Sequence, residues 1–127
     1  MSRYILDTTF VIDYLRDLAP AVARMARFFD DGDEPMITEI VACEVATGSP
    51  AHPDPDLVRF LDQIDFVQPP YEAALRAGQW RAEARMRGHT LSLADALIAA
   101  TADVADAAVL TRNVRDFALT PVRVETY

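Results

Sequence analysis

Short apolar runs alternate along this chain with stretches whose apolar residues recur at helical spacing, the pattern of an α/β protein. Tyr4-Ile5-Leu6 has no polar alternation, which suits a parallel strand buried on both faces, and it stops on Asp7. Thr8 or Thr9 is placed to cap the helix that follows. Thr9 to Asp17 reads as that helix, with Val11, Ile12 and Leu15 inward and Asp13, Arg16 and Asp17 outward. A second helical pattern, from about Pro20 to Phe29, turns Ala21, Val22, Met25, Ala26 and Phe29 inward and closes in the acidic turn Asp30-Asp31-Gly32-Asp33. Pro35-Met36-Ile37 is a minimal second strand. Thr38 then caps a helix over Glu39 to Thr47, stopped by Gly48, with Ile40, Val41 and Val45 on its apolar side and Glu44 at the margin.

The prolines between Pro50 and Pro55 make a rigid loop around His52. Beyond it come a helix over Asp56 to Ile64, a short strand Asp65 to Val67, and a break at Pro69-Pro70. A long helix from Tyr71 to Arg87 is read with Ala74, Leu75, Gly78, Ala82 and Met86 towards the core and Arg76, Arg81 and Arg85 on the other face, paired with Glu72 and Glu83 or free for an anion. Ser92-Leu93-Ala94-Asp95 starts a further helix in which Ser92 caps and Asp95 reaches back to the cap's amide. Ala107 to Thr111 is a buried strand leading into the polar loop Arg112-Asn113-Val114-Arg115-Asp116, and Val122 to Val124 is a last short strand.

A chain of 127 residues fits one domain with one core, residues 1–127. Apolar residues at 51% and charged residues at 25% are ordinary for a globular protein. The sequence has neither a signal-peptide pattern nor an apolar run of membrane-helix length, so a cytoplasmic protein is expected. Cys43, the single cysteine, reads as a small core residue. A net charge of −8 argues against a nucleic-acid partner at first sight, yet all 12 basic residues are arginine and none is lysine. Arginine forks grip phosphate bidentately, so a local rim of Arg76, Arg81, Arg85, Arg87 and Arg112 is compatible with an acidic total.

Asp7 and Asp116 follow buried strands, while Glu44 and Asp95 sit on helices flanking such strands, so a parallel sheet brings all four to one edge. Carboxylates gathered without cations raise one another's pKa. An oxygen-only ligand set selects a hard ion, Mg²⁺ or Mn²⁺, over zinc. His52 and His89 both read as loop residues, leaving no histidine pair for an alternative chemistry.

The motifs Ile5-Leu6-Asp7-Thr8-Thr9, Thr38-Glu39-Ile40 with Glu44, Leu93-Ala94-Asp95-Ala96-Leu97-Ile98-Ala99 and Leu110-Thr111-Arg112-Asn113-Val114-Arg115-Asp116-Phe117 resemble, in this order, those of PIN-domain ribonucleases, specifically the VapC toxins of bacterial toxin–antitoxin pairs. The resemblance runs nearly the whole chain. It implies a three-layer α/β/α sandwich around a mostly parallel sheet, and metal-dependent RNA cleavage that leaves a 5′-phosphate and a 3′-hydroxyl. It carries metal binding and catalysis over to Asp7, Glu44, Asp95 and Asp116 and supporting roles to Thr8, Thr111 and Asn113; the arginines expected to contact the RNA are Arg81, Arg85, Arg112 and Arg115. Many PIN domains have an acid where this chain has Asn113, which weakens the hold on a second ion. The same resemblance implies a homodimer neutralised by a VapB-type antitoxin, and the acidic pocket leads to the expectation that this antitoxin presents an arginine or lysine to Asp7, Glu44, Asp95 or Asp116.

Other readings fit less well. A response-regulator receiver needs a lysine that this chain lacks, and a haloacid-dehalogenase site wants an aspartate where Thr9 stands. A PIN-like module that binds a protein partner without catalysis is the serious alternative, opposed by the presence of all four acids.

Overall fold

The computed structural model describes residues 1 to 127. Five strands form one wholly parallel sheet: β1 (Arg3–Leu6), β2 (Glu34–Thr38), β3 (Asp65–Val67), β4 (Ala108–Leu110) and β5 (Val124–Glu125), in the order β3-β2-β1-β4-β5. The register sets Ile5 beside Met36 on one side and beside Val109 on the other. Tyr4, Ile5 and Leu6 are buried in succession, as are Ala108, Val109 and Leu110. Because neighbouring strand residues point to opposite faces, both faces of the sheet are covered, which makes three layers. The covering helices are α1 (Thr8–Leu15), α2 (Ala19–Asp31), α3 (Glu39–Thr47), α4 (Pro55–Leu61), α5 (Tyr71–Met86) and α6 (Leu93–Val104). A 3₁₀ turn at Val114–Phe117 follows β4 and buries Phe117. No helix is long and apolar enough to cross a membrane.

Several faces differ from those read in the sequence. On α2 the buried stripe is Ala21, Arg24, Met25 and Phe28, while Val22 and Phe29 are exposed. Arginine can occupy that stripe because its guanidinium stacks on two rings, 5.1 Å from the Tyr4 centroid and 4.3 Å from that of Phe28. On α5 the inward residues are Ala73, Ala77, Trp80 and Ala84, and Leu75 and Met86 stand 68% and 87% exposed. The small residues let α5 lie close against α6, itself lined with Ala96, Ala99, Ala100 and Ala102. The alanines of α5 recur around the helix, so the stripe Ala73, Ala77, Trp80 and Ala84 and the stripe Ala74, Leu75, Gly78, Ala82 and Met86 are both apolar in sequence and hydropathy alone does not choose between them. Cys43 is exposed rather than in the core, and Arg76 pairs with Asp103 of α6 rather than with an acid of its own helix. Asp13, read as a surface residue, is buried.

Candidate active site

Parallel strands deliver their carboxyl ends to one edge, and there the chain places its acids. Asp7 follows β1, and its backbone N–H donates to the Leu110 carbonyl at 2.9 Å, extending the β1–β4 ladder. It is itself the N-cap of α1, the position expected of Thr8 or Thr9, but its side chain does not cap the helix. The carboxylate turns instead to two hydroxyls: Thr111 Oγ1 donates to Oδ2 at 2.7 Å and Thr9 Oγ1 to the same oxygen at 3.3 Å. Asp7 is 5% exposed and Thr111 is fully buried. Burial pushes the Asp7 carboxyl up; the Thr111 hydroxyl, the Thr8 amide and the Thr9 hydroxyl oppose this, and the charge of Glu44 adds to it.

Glu44 sits on the exposed side of α3 and accepts a hydrogen bond from Thr8 Oγ1 at 2.7 Å, so the residue beside Asp7 fixes its orientation. Asp95 occupies the third position of α6. Its backbone N–H donates to Ser92 Oγ at 3.1 Å, which completes the expected cap, but its carboxylate makes no return bond to the Ser92 amide. That carboxylate is half-buried, and its pKa is pushed up to about 6 by burial first and then by the charges of Asp7, Asp116 and Glu44, against the pull of the Ser92 hydroxyl. Asp95 therefore registers all three other acids. Asp116 is exposed in the 3₁₀ turn, tied to the loop by its N–H to the Asn113 carbonyl at 3.0 Å. Asn113 in turn donates its N–H to Thr111 Oγ1 at 2.9 Å.

No three acid, histidine or cysteine side chains of the chain stand close enough to share one ion. The donor set nonetheless suits a hard cation: it consists of oxygens only, its most buried member is held by neutral hydroxyls, and like charge is what raises Asp95 beyond its burial. His52 and His89 are both exposed. Among the arginines, Arg81 donates Nε to the Leu91 carbonyl at 3.0 Å, Arg85 and Arg115 are exposed, and Arg112 turns its guanidinium onto Asp13. A cleft of about 220 Å³ lies between α1, α3 and the loop after it, lined by Ile12, Leu15, Arg16, Val45 and Asp54 among others. None of the four acids lines it, although Val45 is next in sequence to Glu44.

Asp13, with Arg112 and Tyr127, is what the sequence reading missed near this edge. Arg112 Nη1 donates to both Asp13 oxygens, at 2.9 and 3.0 Å, and Tyr127 Oη donates to Oδ2 at 2.6 Å. Burial and the Asp13 carboxylate together push the Tyr127 phenol above its ordinary range.

A parallel five-stranded sheet with acids at its carboxyl edge, in this strand order, is the arrangement of the PIN domain, and the chain matches that family over residues 4–121. It belongs to the PIN domain family. Among its relatives is the ribonuclease VapC19 of Mycobacterium tuberculosis, 31% identical over 117 residues that cover 92% of this chain and 94% of the relative. Solved structures of similar fold include VapBC2 from Rickettsia felis bound to a DNA fragment from its promoter, with TM-score 0.86 at 20% identity over 98% of both chains. Another is DNA-bound VapBC from Salmonella typhimurium, with TM-score 0.81 at 26% identity over 99% of this chain and 98% of that one.

Proposed function

We propose that this protein is a Mg²⁺- or Mn²⁺-dependent endoribonuclease of the VapC toxin type, held in check in the cytoplasm by a cognate VapB-type antitoxin. The observation that carries this reading is the meeting of four acids at one sheet edge, with the buried Asp7 held only by neutral donors. The identity to a relative named as a ribonuclease supports the choice of RNA as substrate. Asp7, Glu44, Asp95 and Asp116, which stand apart in this structure, would be the residues that hold the ion, and it would supply Lewis acidity to acidify water and to neutralise charge on the scissile phosphate. Thr111 and Thr9 fix the rotamer of Asp7, and Thr8 fixes that of Glu44. Ser92 holds the first turn of α6, and with it Asp95, against the sheet edge. Arg85 and Arg115, exposed on α5 and in the 3₁₀ turn, meet the RNA backbone, with Arg81 beside them.

In this reading the antitoxin helix packs over the cleft between α1 and α3, with Ile12, Leu15 and Val45 as its apolar contacts, and a basic side chain of it reaches towards the acids past Glu44. The protein acts as a homodimer, and the outward α5 stripe of Tyr71, Leu75 and Met86 is the apolar face available for a second copy. The test is cleavage of RNA by the purified protein. Activity with Mg²⁺ or Mn²⁺ is lost in EDTA and falls at least ~100-fold in Asp7→Asn and Asp95→Asn. A folded wild type that leaves RNA uncut with either ion would return the protein to the class of binding modules.

A further inference from the structure

Asp13 lies six residues along α1 from Asp7, 3% exposed, and its three hydrogen bonds come from two distant segments. Arg112 belongs to the link between β4 and the 3₁₀ turn, and Tyr127 to the segment after β5. The Tyr127 ring also packs edge-on against Phe10 of α1, with centroids 4.9 Å apart. Asp13 thus joins α1 to both segments at once.

Arg112 is the residue through which this matters to the site. Its backbone N–H donates to Thr9 Oγ1 at 3.2 Å, and Thr9 bonds the Asp7 carboxylate. The next residue, Asn113, donates to Thr111 Oγ1, which also bonds Asp7. The Asn113 carbonyl accepts the N–H of Asp116. A continuous path of hydrogen bonds and one peptide link, Arg112–Asn113, therefore runs from Asp13 through Arg112 and Asn113 to Asp116, and a second runs back to Asp7. The Arg112 guanidinium makes both of its bonds to Asp13 through Nη1 alone, and its side chain remains 56% exposed.

We propose that Asp13, acting with Tyr127 through Arg112, is a positioning residue of the acid site: it anchors the link Thr111–Asp116 and so sets where Asp116 and Asn113 stand relative to Asp7. The inference rests on reading the four acids as a cation site. Side chains that orient metal ligands from behind are commonly worth 10–100-fold in metal affinity or activity.

Three measurements on Asp13→Asn, Arg112→Gln and Tyr127→Phe test it. Backbone hydrogen exchange without metal is expected to rise about tenfold over residues 112–118 in the first two variants, with α2 unchanged, and to rise less in Tyr127→Phe. Mn²⁺ affinity, read by the spin resonance of the free ion, falls about tenfold in Asp13→Asn, and kcat on RNA falls ~10- to 100-fold while KM stays at the wild-type value. Unchanged exchange and Mn²⁺ affinity in Asp13→Asn overturn the proposal. So does a raised KM with unaltered kcat in Arg112→Gln, which makes that arginine an RNA contact. Should Asp13→Asn not fold, Tyr127→Phe decides, since it keeps the ion pair: faster exchange confined to 112–118 supports the anchor and unchanged exchange refutes it. A wild type that neither binds Mn²⁺ nor cuts RNA sinks the nuclease reading, whereas the anchor itself stands or falls on the exchange of residues 112–118.

Discussion

Asp7 and Asp13 are carried by the same stretch of chain, at 5% and 3% exposure, and their surroundings are opposite. Asp13 has a cation and a phenol of its own, both within 3.0 Å. Asp7 has only hydroxyls and an amide, and it adds its charge to those of Glu44 and Asp116 on Asp95. A buried carboxylate is stable when its counter-charge is built in and costly when it is not. The first arrangement is a structural joint. The second leaves a buried carboxylate without a counter-charge of its own, which under the proposed function would come from a cation or from the basic side chain of an inhibitor.

The difference should be plainest in stability. Arg112→Gln leaves the Asp13 carboxylate buried beside an uncharged neighbour. Breaking a buried pair in this way costs ~3–5 kcal/mol, which the half-exposed Arg112 side chain reduces to ~2–3 kcal/mol. Asp7→Asn removes an acid from a repelling group, so in EDTA its stability stays at the wild-type value or rises. Urea unfolding of the two variants side by side measures this. Equal losses in both would erase the distinction between joint and site.

The pH dependence sharpens the same contrast. In the folded chain the Asp95 carboxyl is pushed up to about 6, whereas unfolded it releases its proton near the ordinary carboxylate value of 3.8. Between those limits the folded state binds more protons than the unfolded one, so the contribution of Asp95 to stability falls as pH rises and is constant above about 6. For a half-buried group this amounts to ~1–2 kcal/mol after solvent screening. The stability of wild type minus that of Asp95→Asn, in EDTA, is therefore expected to decline from pH 4.5 to 6.5. Saturating Mn²⁺ binds the ionised acids and reverses the slope. A difference that stays flat in EDTA would mean that neither burial nor the neighbouring acids raise the Asp95 carboxyl.

Local signals in the sequence located most of the elements that carry the candidate site. An apolar run ending on Asp7, a serine three residues before Asp95, and a polar loop after an apolar strand each announce a strand end or a helix start within a few residues. Strand β3 falls on the residues expected, Asp65–Val67, because a short apolar run between a helix and two prolines has few alternatives. Long-range pairing left no such mark. Asp13 meets Arg112 and Tyr127 across separations of 99 and 114 residues, and an acid on a helix whose partners lie that far along reads as a surface charge. Arg24 was hidden for a similar reason, since the rings that accept its guanidinium come from β1 and from a phenylalanine doublet whose buried member, Phe28 and not Phe29, is decided by packing. Thr38 shows the converse case: it starts α3 as the sequence suggests, but its hydroxyl is buried and caps nothing.

The smallest effect tests the joint from its other side. Tyr127→Phe keeps the ring against Phe10 and removes only the phenol hydrogen bond, at 2.6 Å to Asp13 Oδ2. A hydrogen bond to a charged group is worth ~1.5–3 kcal/mol, but Arg112 still donates to the same oxygen at 3.0 Å, so the loss should be ~1 kcal/mol. In the Arg112→Gln background the phenol is the donor that remains to Asp13 of the two seen in the wild type, and its removal leaves that carboxylate without either. Tyr127→Phe should then cost about twice as much as in the wild type, a coupling expected of two groups that share one acceptor. Thermal or urea unfolding of the two single variants and the double variant measures it. Strictly additive losses would mean that the phenol and the guanidinium act on Asp13 independently, and that the joint is two separate contacts rather than one unit.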